Sequence, residues 1–299
     1  MCGIVGLLLR DPALRPQLGA MITPMLDALG SRGPDSTGIG MYSEGGAGRV
    51  RLSVHRCGPE VAWEEVAVEL AARLGDGAEA EVAGRGDSAL ITWTGELDVA
   101  VSAVQAMAPR VRLIGFGHVV EVVKDVGGAA EVCRKYDITS RHGYLAIGHT
   151  RMATESAVTA AHSHPFVTAP DLCLVHNGSF SNHASVRRRL EAQGVSFDSD
   201  NDSEVAARLI ASHLAQGDDV EQALRWMAKD LDGFYTVVVT TPDYLAILRD
   251  PFSCKPAVVA ETEEYVAIGS EYRALAGLPG IETARVFEPA PQEIYSWSR

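Results

Sequence analysis

The sequence begins with a residue that could act as a complete catalytic unit, Cys2, followed by Gly3. A methionine in front of so small a side chain is of the kind that an aminopeptidase removes, which would leave Cys2 at the N-terminus. That residue would then carry both a thiol and a free α-amine, whose pKa of about 8 suits it to activate the thiol directly or through one water. The alternative is that Cys2 simply starts a buried strand that runs to Leu9.

A thiol that attacks an amide also needs donors for the negative oxygen of the tetrahedral intermediate. Asn177 and Gly178 follow an apolar run, and an Asn side-chain amide with an adjacent Gly backbone N–H suits this role; losing one such donor costs about 3 kcal/mol of barrier. Asn-Gly is also the commonest signal for a hairpin turn. Both interpretations stay open, and they do not exclude each other.

Two charged residues could hold the ends of an amino-acid substrate. Arg151 ends another apolar run, and its guanidinium can clamp a carboxylate through two parallel hydrogen bonds. Asp202 stands at the start of a helical pattern, where it could hold an ammonium group. Each has an ordinary alternative, which is a surface ion pair for Arg151 and a helix cap or first-turn acid for Asp202.

Histidines offer two further kinds of site. His162 and His164 lie two residues apart, but no nearby cysteine or acid completes a ligand set, and we predict no metal site. His149 could instead act as the base for Cys2 in a papain-like pair, which is the rival mechanism.

The composition limits the classes of function. The 299 residues include 26 basic and 39 acidic side chains, a formal charge of -13, which argues against nonspecific nucleic-acid binding. No apolar stretch reaches the ~20 residues of a membrane helix, and no signal peptide is evident. The cysteines are odd in number and include no C-x-x-C pair. We therefore expect a reducing compartment and a cytoplasmic protein.

Hydrophobic periodicity predicts the elements that position these residues. A strand over 2–9 is followed by a helix, and because proline is best tolerated in a first turn, we expect that helix to start at Thr23 with Pro24 behind it. Asn201, three residues before Glu204, resembles a capping box and marks the start of another helix.

Residues 59–137 show a self-contained alternation of helix and strand patterns. A helical stripe ends at Gly75, one long strand is predicted over 111–123, and a short helix follows near Val132. We expect a small α/β insert within a single domain that spans 1–299.

Taken in order, these segments resemble the class II glutamine amidotransferases, over almost the whole chain apart from 59–137. The motifs are MCGIVG at 1–6, SRGPDSTG at 31–38, GHTRMAT at 148–154, HSHPF at 162–166, VHNG at 175–178, SDNDSEV at 199–205 and LDGFY at 231–235. The resemblance implies an α+β fold of the N-terminal nucleophile hydrolase type, an αββα sandwich of two antiparallel sheets between helical layers.

The resemblance also implies what single residues do. Cys2 is the nucleophile, Asn177 and Gly178 form the oxyanion hole, and Arg151 and Asp202 hold the glutamine. The implied reaction is hydrolysis of L-glutamine to glutamate and ammonia through a γ-glutamyl thioester.

Three further positions matter for the comparison with the family. Arg32 corresponds to an arginine whose role is to position the closed pocket. Met152 and Glu155 stand where aminosugar-synthesising members usually carry Trp and His, which argues against that branch. His162 replaces a more usual Asn.

The resemblance also bears on partners. Members that complete a biosynthesis alone carry a second domain, and here we find neither that domain nor a P-loop or Rossmann fingerprint. We expect no cofactor in this chain and an ammonia acceptor on another polypeptide. The likeness is greatest to glutaminase subunits of glutamate-synthase-like assemblies such as N-methylglutamate synthase, whose partner subunits carry FMN and iron–sulfur clusters. The expected assembly is a hetero-oligomer docked through the insert at 59–137.

Two other functions fit the same residues. If Met1 stays in place, the α-amine of Cys2 is acylated, and the chain could be a non-catalytic subunit that senses glutamine. An amidohydrolase of another γ-glutamyl compound would also need Arg151 and Asp202, so these two residues do not separate the substrates.

Overall fold

The computed structural model describes residues 1–46, 48–75, 78–153 and 157–299. Its strands are β1 (Gly3–Leu9), β2 (Ser36–Tyr42), β3 (Arg49–Arg56), β4 (Glu81–Arg85), β5 (Ser88–Thr94), β6 (Val111–Gly117), β7 (Val120–Val126), β8 (Leu145–Arg151), β9 (Phe166–Ala169), β10 (Leu172–Phe180), β11 (Gly233–Thr240), β12 (Tyr244–Arg249), β13 (Val258–Glu261), β14 (Tyr265–Gly269), β15 (Arg285–Phe287) and β16 (Ile294–Ser298). Its helices are α1 (Leu18–Ala28), α2 (Trp63–Leu74), α3 (Leu97–Gln105), α4 (Ala129–Lys135), α5 (His183–Ala192), α6 (Asp202–Ala215) and α7 (Val220–Asp230). Within these described ranges, no helix is both long and apolar enough to cross a membrane.

Two antiparallel sheets stack face to face. One has the strand order β15-β13-β14-β1-β8-β2-β7 and the other β16-β12-β11-β10-β9. Strand β1 shows how the sequence specifies this arrangement, because alternate side chains of a strand point to opposite faces. Ile4 and Leu8 pack between the sheets, whereas Leu7 and Leu9 pack under the helices. The strand is buried on both faces, which explains its unbroken apolar run.

Helices cover the outer face of each sheet. On the seven-stranded sheet, α1 and α4 contribute Ile22 and Val132 to one apolar cluster. On the five-stranded sheet, α5, α6 and α7 contribute Leu190, Ile210 and Leu224 to another. The order of layers is therefore helix, sheet, sheet, helix, and the predicted α+β sandwich is confirmed.

The first helix does not start where the sequence predicted. α1 begins at Leu18 and keeps Pro24 in its interior, so the predicted start at Thr23 is wrong. A proline at that position removes the hydrogen bond to the carbonyl of Ala20. Ala20 and Pro24 are both exposed, so water can satisfy that carbonyl, while buried residues such as Leu26 hold the helix against the sheet.

A separate four-stranded sheet of order β4-β5-β3-β6 packs against α2 and α3. Its limits differ from those of the predicted insert at 59–137, because the sheet includes β3 and excludes β7, which pairs with β2 in the sandwich. The strand predicted over 111–123 is two strands. The backbone N–H groups at 118–120 donate to the buried carboxylate of Asp171, which holds the chain reversal between them.

Helix α6 begins where the sequence predicted, with Asn201 as its N-cap. Glu204 does not complete the predicted capping box, since its carboxylate accepts the backbone N–H groups at 198 and 199 instead. Asp202 is the first residue of the helix and Asn201 caps it, so of the two ordinary alternatives for Asp202 the structure shows the first-turn acid.

Candidate active site

The ends of two neighbouring strands bring the predicted nucleophile and the predicted carboxylate clamp together. Cys2 directly precedes β1, and Arg151 is the last residue of β8. Gly3 pairs with Thr150 across these strands, so the antiparallel register places Cys2 opposite Arg151. The Cys2 residue is partly exposed, and its Sγ lies 3.9 Å from the carbonyl oxygen of Met152.

A cavity of about 690 Å3 opens beside Cys2. Arg151, Asn177, Gly178 and Asp202 line it too, although they come from three separate parts of the chain. The structure therefore brings together the predicted nucleophile, oxyanion donors and substrate clamps.

The oxyanion candidates lie inside a strand. Strand β10 pairs with β11 as far as Phe180, so the hairpin-turn alternative for Asn177 and Gly178 is wrong. Gly178 has a φ of 145°, and a Cβ there would lie 1.9 Å from the carbonyl oxygen of Phe234; glycine is required for this close approach. The side-chain nitrogen of Asn177 is buried and has no hydrogen-bond partner among the described residues. This donor is of the type that an oxyanion site uses, and Asn177 lines the same cavity as Cys2.

Arg151 is 5% exposed, which excludes the alternative of a surface ion pair. Its Nη1 donates to the carbonyl oxygen of Ala157 at 3.0 Å. Burial lowers the pKa of this guanidinium, and the nearby Cys2 and Asp35 oppose that effect. Because an arginine side chain stays charged in proteins, the cavity has a permanent cation in its wall.

Asp202 supplies the opposite charge. Its Oδ2 accepts the backbone N–H of Phe180 at 2.9 Å, and its Oδ1 accepts the hydroxyl of Ser203 at 3.2 Å. A carboxylate has about four lone-pair sites, so acceptor capacity remains for a substrate ammonium group. The position at the N-terminus of α6 also favours a negative charge.

Arg32 is not among the cavity-lining residues. It is 9% exposed, its Nε donates to the carbonyl oxygen of Cys2 at 2.9 Å, and it pairs with Glu271. The structure therefore places this arginine behind the predicted nucleophile, where it holds the backbone of Cys2.

His149 hydrogen-bonds to the backbone and not to the thiol. Its Nε2 lies 3.0 Å from the carbonyl oxygen of His176, and the residue is 1% exposed. Burial lowers the pKa of His149 to about 3. A base of that strength does not deprotonate a thiol near neutral pH, so the structure does not favour the papain-like pair with Cys2.

The two histidines of the HSHPF motif have different environments. His162 bonds to Thr159 and Asp200, whereas His164 packs against His149 with ring centroids 4.0 Å apart and the rings tilted by 32°. No group of three or more His, Cys, Asp or Glu side chains in the described part of the chain is arranged to hold a metal ion.

The departures from the family pattern are only partly described. Met152 lines the cavity mouth and is 47% exposed. The prediction about Glu155 lies outside the described residues, as does the last residue of the GHTRMAT motif, Thr154.

Sequence reasoning did not assign several other residues of the cavity wall to the site, among them His164, His176, Ser203 and Lys255. Neither periodicity nor spacing shows that such a residue lines a cavity, even where it stands in a motif, as His176 does. The position of His176, one residue before Asn177, is the signal that could have indicated it.

Comparison with known proteins agrees with this geometry. A family model described as "Glutamine amidotransferase domain" matches residues 149–277. A Rhizobium meliloti (strain 1021) protein described as "Glutamine amidotransferase-like protein GlxB" is 46% identical over 298 residues, which cover 99% of this chain and 98% of that protein.

Solved structures show the same fold. An allosteric regulatory enzyme of purine biosynthesis has a TM-score of 0.63 at 19% identity, over 99% of this chain and 46% of that one. The glutamine phosphoribosylpyrophosphate amidotransferase from B. subtilis has a TM-score of 0.61 at 19% identity, over 100% of this chain and 49% of that one. This chain thus spans about half the length of those two proteins.

The sandwich of two antiparallel sheets between helices, together with these structural neighbours, defines a hydrolase fold of the N-terminal nucleophile type. The relative at 46% identity over nearly the full length places the chain within a single family. The chain belongs to the class II glutamine amidotransferases and is a glutamine amidotransferase.

Proposed function

We propose that this chain hydrolyses L-glutamine through a thioester on Cys2 and passes the ammonia to a synthase subunit on a separate chain. One observation carries the proposal. Cys2 and Asn177 border the same cavity as a permanent cation, Arg151, and a carboxylate, Asp202.

The substrate is oriented by its charges. The α-carboxylate pairs with Arg151 in a geometry suited to two parallel hydrogen bonds. The α-ammonium group binds Asp202. The side-chain amide then reaches the thiol of Cys2, with its carbonyl oxygen toward Asn177 and Gly178.

The reaction proceeds through two tetrahedral intermediates. The α-amine of Cys2 takes the thiol proton, sulfur bonds to the amide carbon, and the negative oxygen is held by Asn177 and Gly178. The protonated amine returns its proton to the leaving nitrogen as the C–N bond breaks, which releases ammonia and leaves the thioester. Water then attacks the thioester carbon, glutamate leaves, and the thiol regains its proton.

Arg32 supports this chemistry by position. Its bond to the carbonyl oxygen of Cys2 fixes the backbone on which both the thiol and the amine stand. The mechanism requires Cys2 to be the first residue of the active protein, which intact-mass measurement checks directly.

Removal of the thiol tests the proposal. The Cys2→Ala variant should lose glutaminase turnover, measured as glutamate release, while its circular dichroism and its melting temperature stay the same. Cys57→Ala removes an exposed thiol elsewhere and should retain full activity. Turnover close to wild type in Cys2→Ala would exclude Cys2 as the nucleophile.

The same assay separates the alternatives. A glutamine-sensing subunit would bind L-glutamine, detected by calorimetry, without releasing ammonia. An amidohydrolase of another γ-glutamyl compound would prefer that compound over L-glutamine in a substrate panel, since both share the ends held by Arg151 and Asp202.

The partner is part of the proposal as well. Resemblance in the motifs supports a synthase subunit of the glutamate synthase or N-methylglutamate synthase type, which would carry FMN and iron–sulfur clusters in a cytoplasmic hetero-oligomer. Isolation of the native complex and analysis of its flavin and iron content test this.

The role of the insert in docking to the synthase subunit also stays a prediction. The structure shows that deletion of the insert is not a suitable test of that role. Deletion of 59–137 would remove β7 from the sandwich, so loss of binding would not be specific. Val68 on α2 and Val99 on α3 are 73% and 47% exposed. Changing both to Glu should abolish co-purification with the synthase subunit, whereas Val286→Glu, at a position 42% exposed on β15, should not.

A further inference from the structure

Strand β10 holds the carboxylate of Asp202 by two routes. The backbone N–H of Phe180 donates to its Oδ2 at 2.9 Å. The second route uses side chains: Nδ1 of His176 lies 2.8 Å from Oγ of Ser203, which donates to Asp202 Oδ1 at 3.2 Å. Both oxygens of the carboxylate are therefore positioned from the strand that carries the oxyanion donors.

The hydrogen-bonding capacities of His176, Ser203 and Asp202 determine which group donates in each of these two side-chain hydrogen bonds. A carboxylate only accepts, and a serine hydroxyl has one proton to donate. With that proton directed to Asp202, the bond between Ser203 and His176 requires a proton on Nδ1. Burial lowers the pKa of His176, so the ring is neutral and Nε2 is unprotonated. The bonds run from imidazole to hydroxyl to carboxylate, and each one polarises the next.

His176 is rigidly held. The residue is 2% exposed, its ring stacks on Phe180 with centroids 4.4 Å apart, and its backbone oxygen accepts from His149. Its Nε2 is buried without a hydrogen-bond partner in the part of the chain that the structure describes. Packing thus fixes the imidazole, which can in turn hold the Ser203 hydroxyl in one orientation.

We propose that His176 is a positioning residue for the ammonium end of the substrate, because it orients Asp202 through Ser203. This inference rests on the proposed role of Asp202 in binding that group. Since His176 directly precedes Asn177, one strand sets the distance between the reacting amide and the amino group. The arrangement selects amides of amino acids over amides that lack the α-amino group.

Steady-state kinetics with two substrates test the role. His176→Phe keeps a ring to stack on Phe180 but loses the hydrogen bond, and it should raise the KM for L-glutamine about tenfold with kcat changed less than about threefold. Ser203→Ala should have the same effect, and the double variant should be no worse than either single variant. His176→Asn, whose amide nitrogen can replace Nδ1–H, should recover most of the KM.

Glutaramate, the same amide without the α-amino group, separates positioning from a general structural effect. Wild type and all these variants should have equal KM values for it. An equal rise in KM for both substrates, or a His176→Phe variant with wild-type KM, would overturn the proposal. The same substitution away from the cavity, His213→Phe, is the control and should leave both KM values unchanged.

Two measurements do not depend on turnover. Nitrogen-15 NMR at pH 7 should show His176 as the neutral Nδ1-protonated tautomer, and the opposite tautomer would contradict the inference. Calorimetry in the Cys2→Ala background should show weaker L-glutamine binding when His176→Phe is added. If that holds while the wild-type chain releases no ammonia, the proposed thioester chemistry fails and the positioning role stands.

Discussion

The side-chain amide of Asn177 is an unusual buried polar group. Its nitrogen has no hydrogen-bond partner within the described ranges, and an unsatisfied buried donor costs about 1–3 kcal/mol. Few buried polar groups in folded proteins are left in this state. In the proposed mechanism this unpaired donor binds the developing oxyanion without first breaking another bond.

Replacing this amide should separate activity from stability. Asn177→Ala should lower kcat by about 100- to 1000-fold with little change in KM, because the lost interaction forms in the transition state. The free energy of unfolding in urea should stay the same or rise, since an unsatisfied donor is removed. The control is Asn182→Ala, where both side-chain bonds are made, to Asp230 and Asp232. It should lose about 1 kcal/mol of stability and keep its kcat; undiminished kcat in Asn177→Ala would contradict the oxyanion role.

Three buried histidines make the protein sensitive to acid. Burial lowers the pKa of His149 to about 3 and lowers the pKa values of His164 and His176 as well. Above pH 6.5 the folded and unfolded states are both neutral at these rings. As the pH falls below that value, the unfolded chain binds protons that the folded protein cannot, so stability is lost between about pH 6.5 and pH 3.

The expected slope is up to about 1.4 kcal/mol per pH unit for each such histidine. Urea unfolding at pH 7.5, 6.0 and 5.0 measures it. His164→Phe should reduce the slope by the share of one histidine, up to about 1.4 kcal/mol per pH unit. The substitution should cost little stability at pH 7.5, because neither ring nitrogen has a hydrogen-bond partner among the described residues. His142→Gln, at an exposed position, is the control and should leave the slope as it is. A slope that His164→Phe does not change would exclude this histidine as a source.

At the scale of elements, strand β10 carries much of the site. It supplies His176, Asn177 and Gly178 in succession, and its pairing with β11 is so close at Gly178 that a side chain has no room. The strand therefore combines a structural restriction with its proposed chemical role.

Gly178→Ala should destabilise the protein by about 3 kcal/mol, because a positive φ is unfavourable for alanine and the new Cβ would meet the backbone of Phe234. Thermal or urea unfolding measures the loss. Gly194→Ala is the matched control: its φ of 89° is also positive, but nothing lies within 4 Å of the new Cβ. It should cost about 1–2 kcal/mol from the backbone alone. Equal losses at the two positions would show that the close approach to Phe234 is not restrictive.

At the scale of the whole molecule, a network of ionic groups connects the four-stranded sheet to the sandwich. Asp125 of β7 accepts from Lys135 at 2.7 Å and from Tyr136 at 2.6 Å, and His55 of β3 lies 3.8 Å away. Lys135 also contacts Asp87 beside β5 at 2.6 Å. Burial raises the pKa of Asp125, but these hydrogen bonds outweigh that effect and hold its pKa well below the usual range.

Asp125→Asn should cost about 1.5–3 kcal/mol, since it weakens the charge-assisted hydrogen bonds from Lys135 and Tyr136, while Lys135 keeps its ion pair with Asp87. The loss should be nearly constant above the pKa of an unfolded carboxyl, about 3.9. It should shrink as the pH falls below that value toward the lower pKa that Asp125 has in the folded protein, because its contribution to wild-type stability is lost over that range. Urea unfolding at pH 7 and at about pH 3 measures both. Asp137→Asn changes an ion pair that is about half exposed and should cost less than about 1 kcal/mol.

Particular elements show how far the sequence predicts the fold. The start of α6 at Asp202 and the strand β1 directly after Cys2 were predictable, because capping residues and apolar patterns act within a few residues. The limits of the four-stranded sheet were not. The reversal that separates β6 from β7 is held by Asp171, which is some 50 residues away in the chain, and no local pattern reports that contact.

The sequence alone determined the family, the fold class and the identity of the residues that carry charge, thiol and amide, because these depend on residue type and order along the chain. Only the tertiary structure decided that Cys2, Arg151 and Asp202 share a cavity and that Arg32 holds the backbone carbonyl of Cys2. It also decided that Asn177 keeps its amide unpaired among the described residues. The physical reason is that the register and stacking of two sheets set these distances, and both arise from packing between residues far apart in the chain.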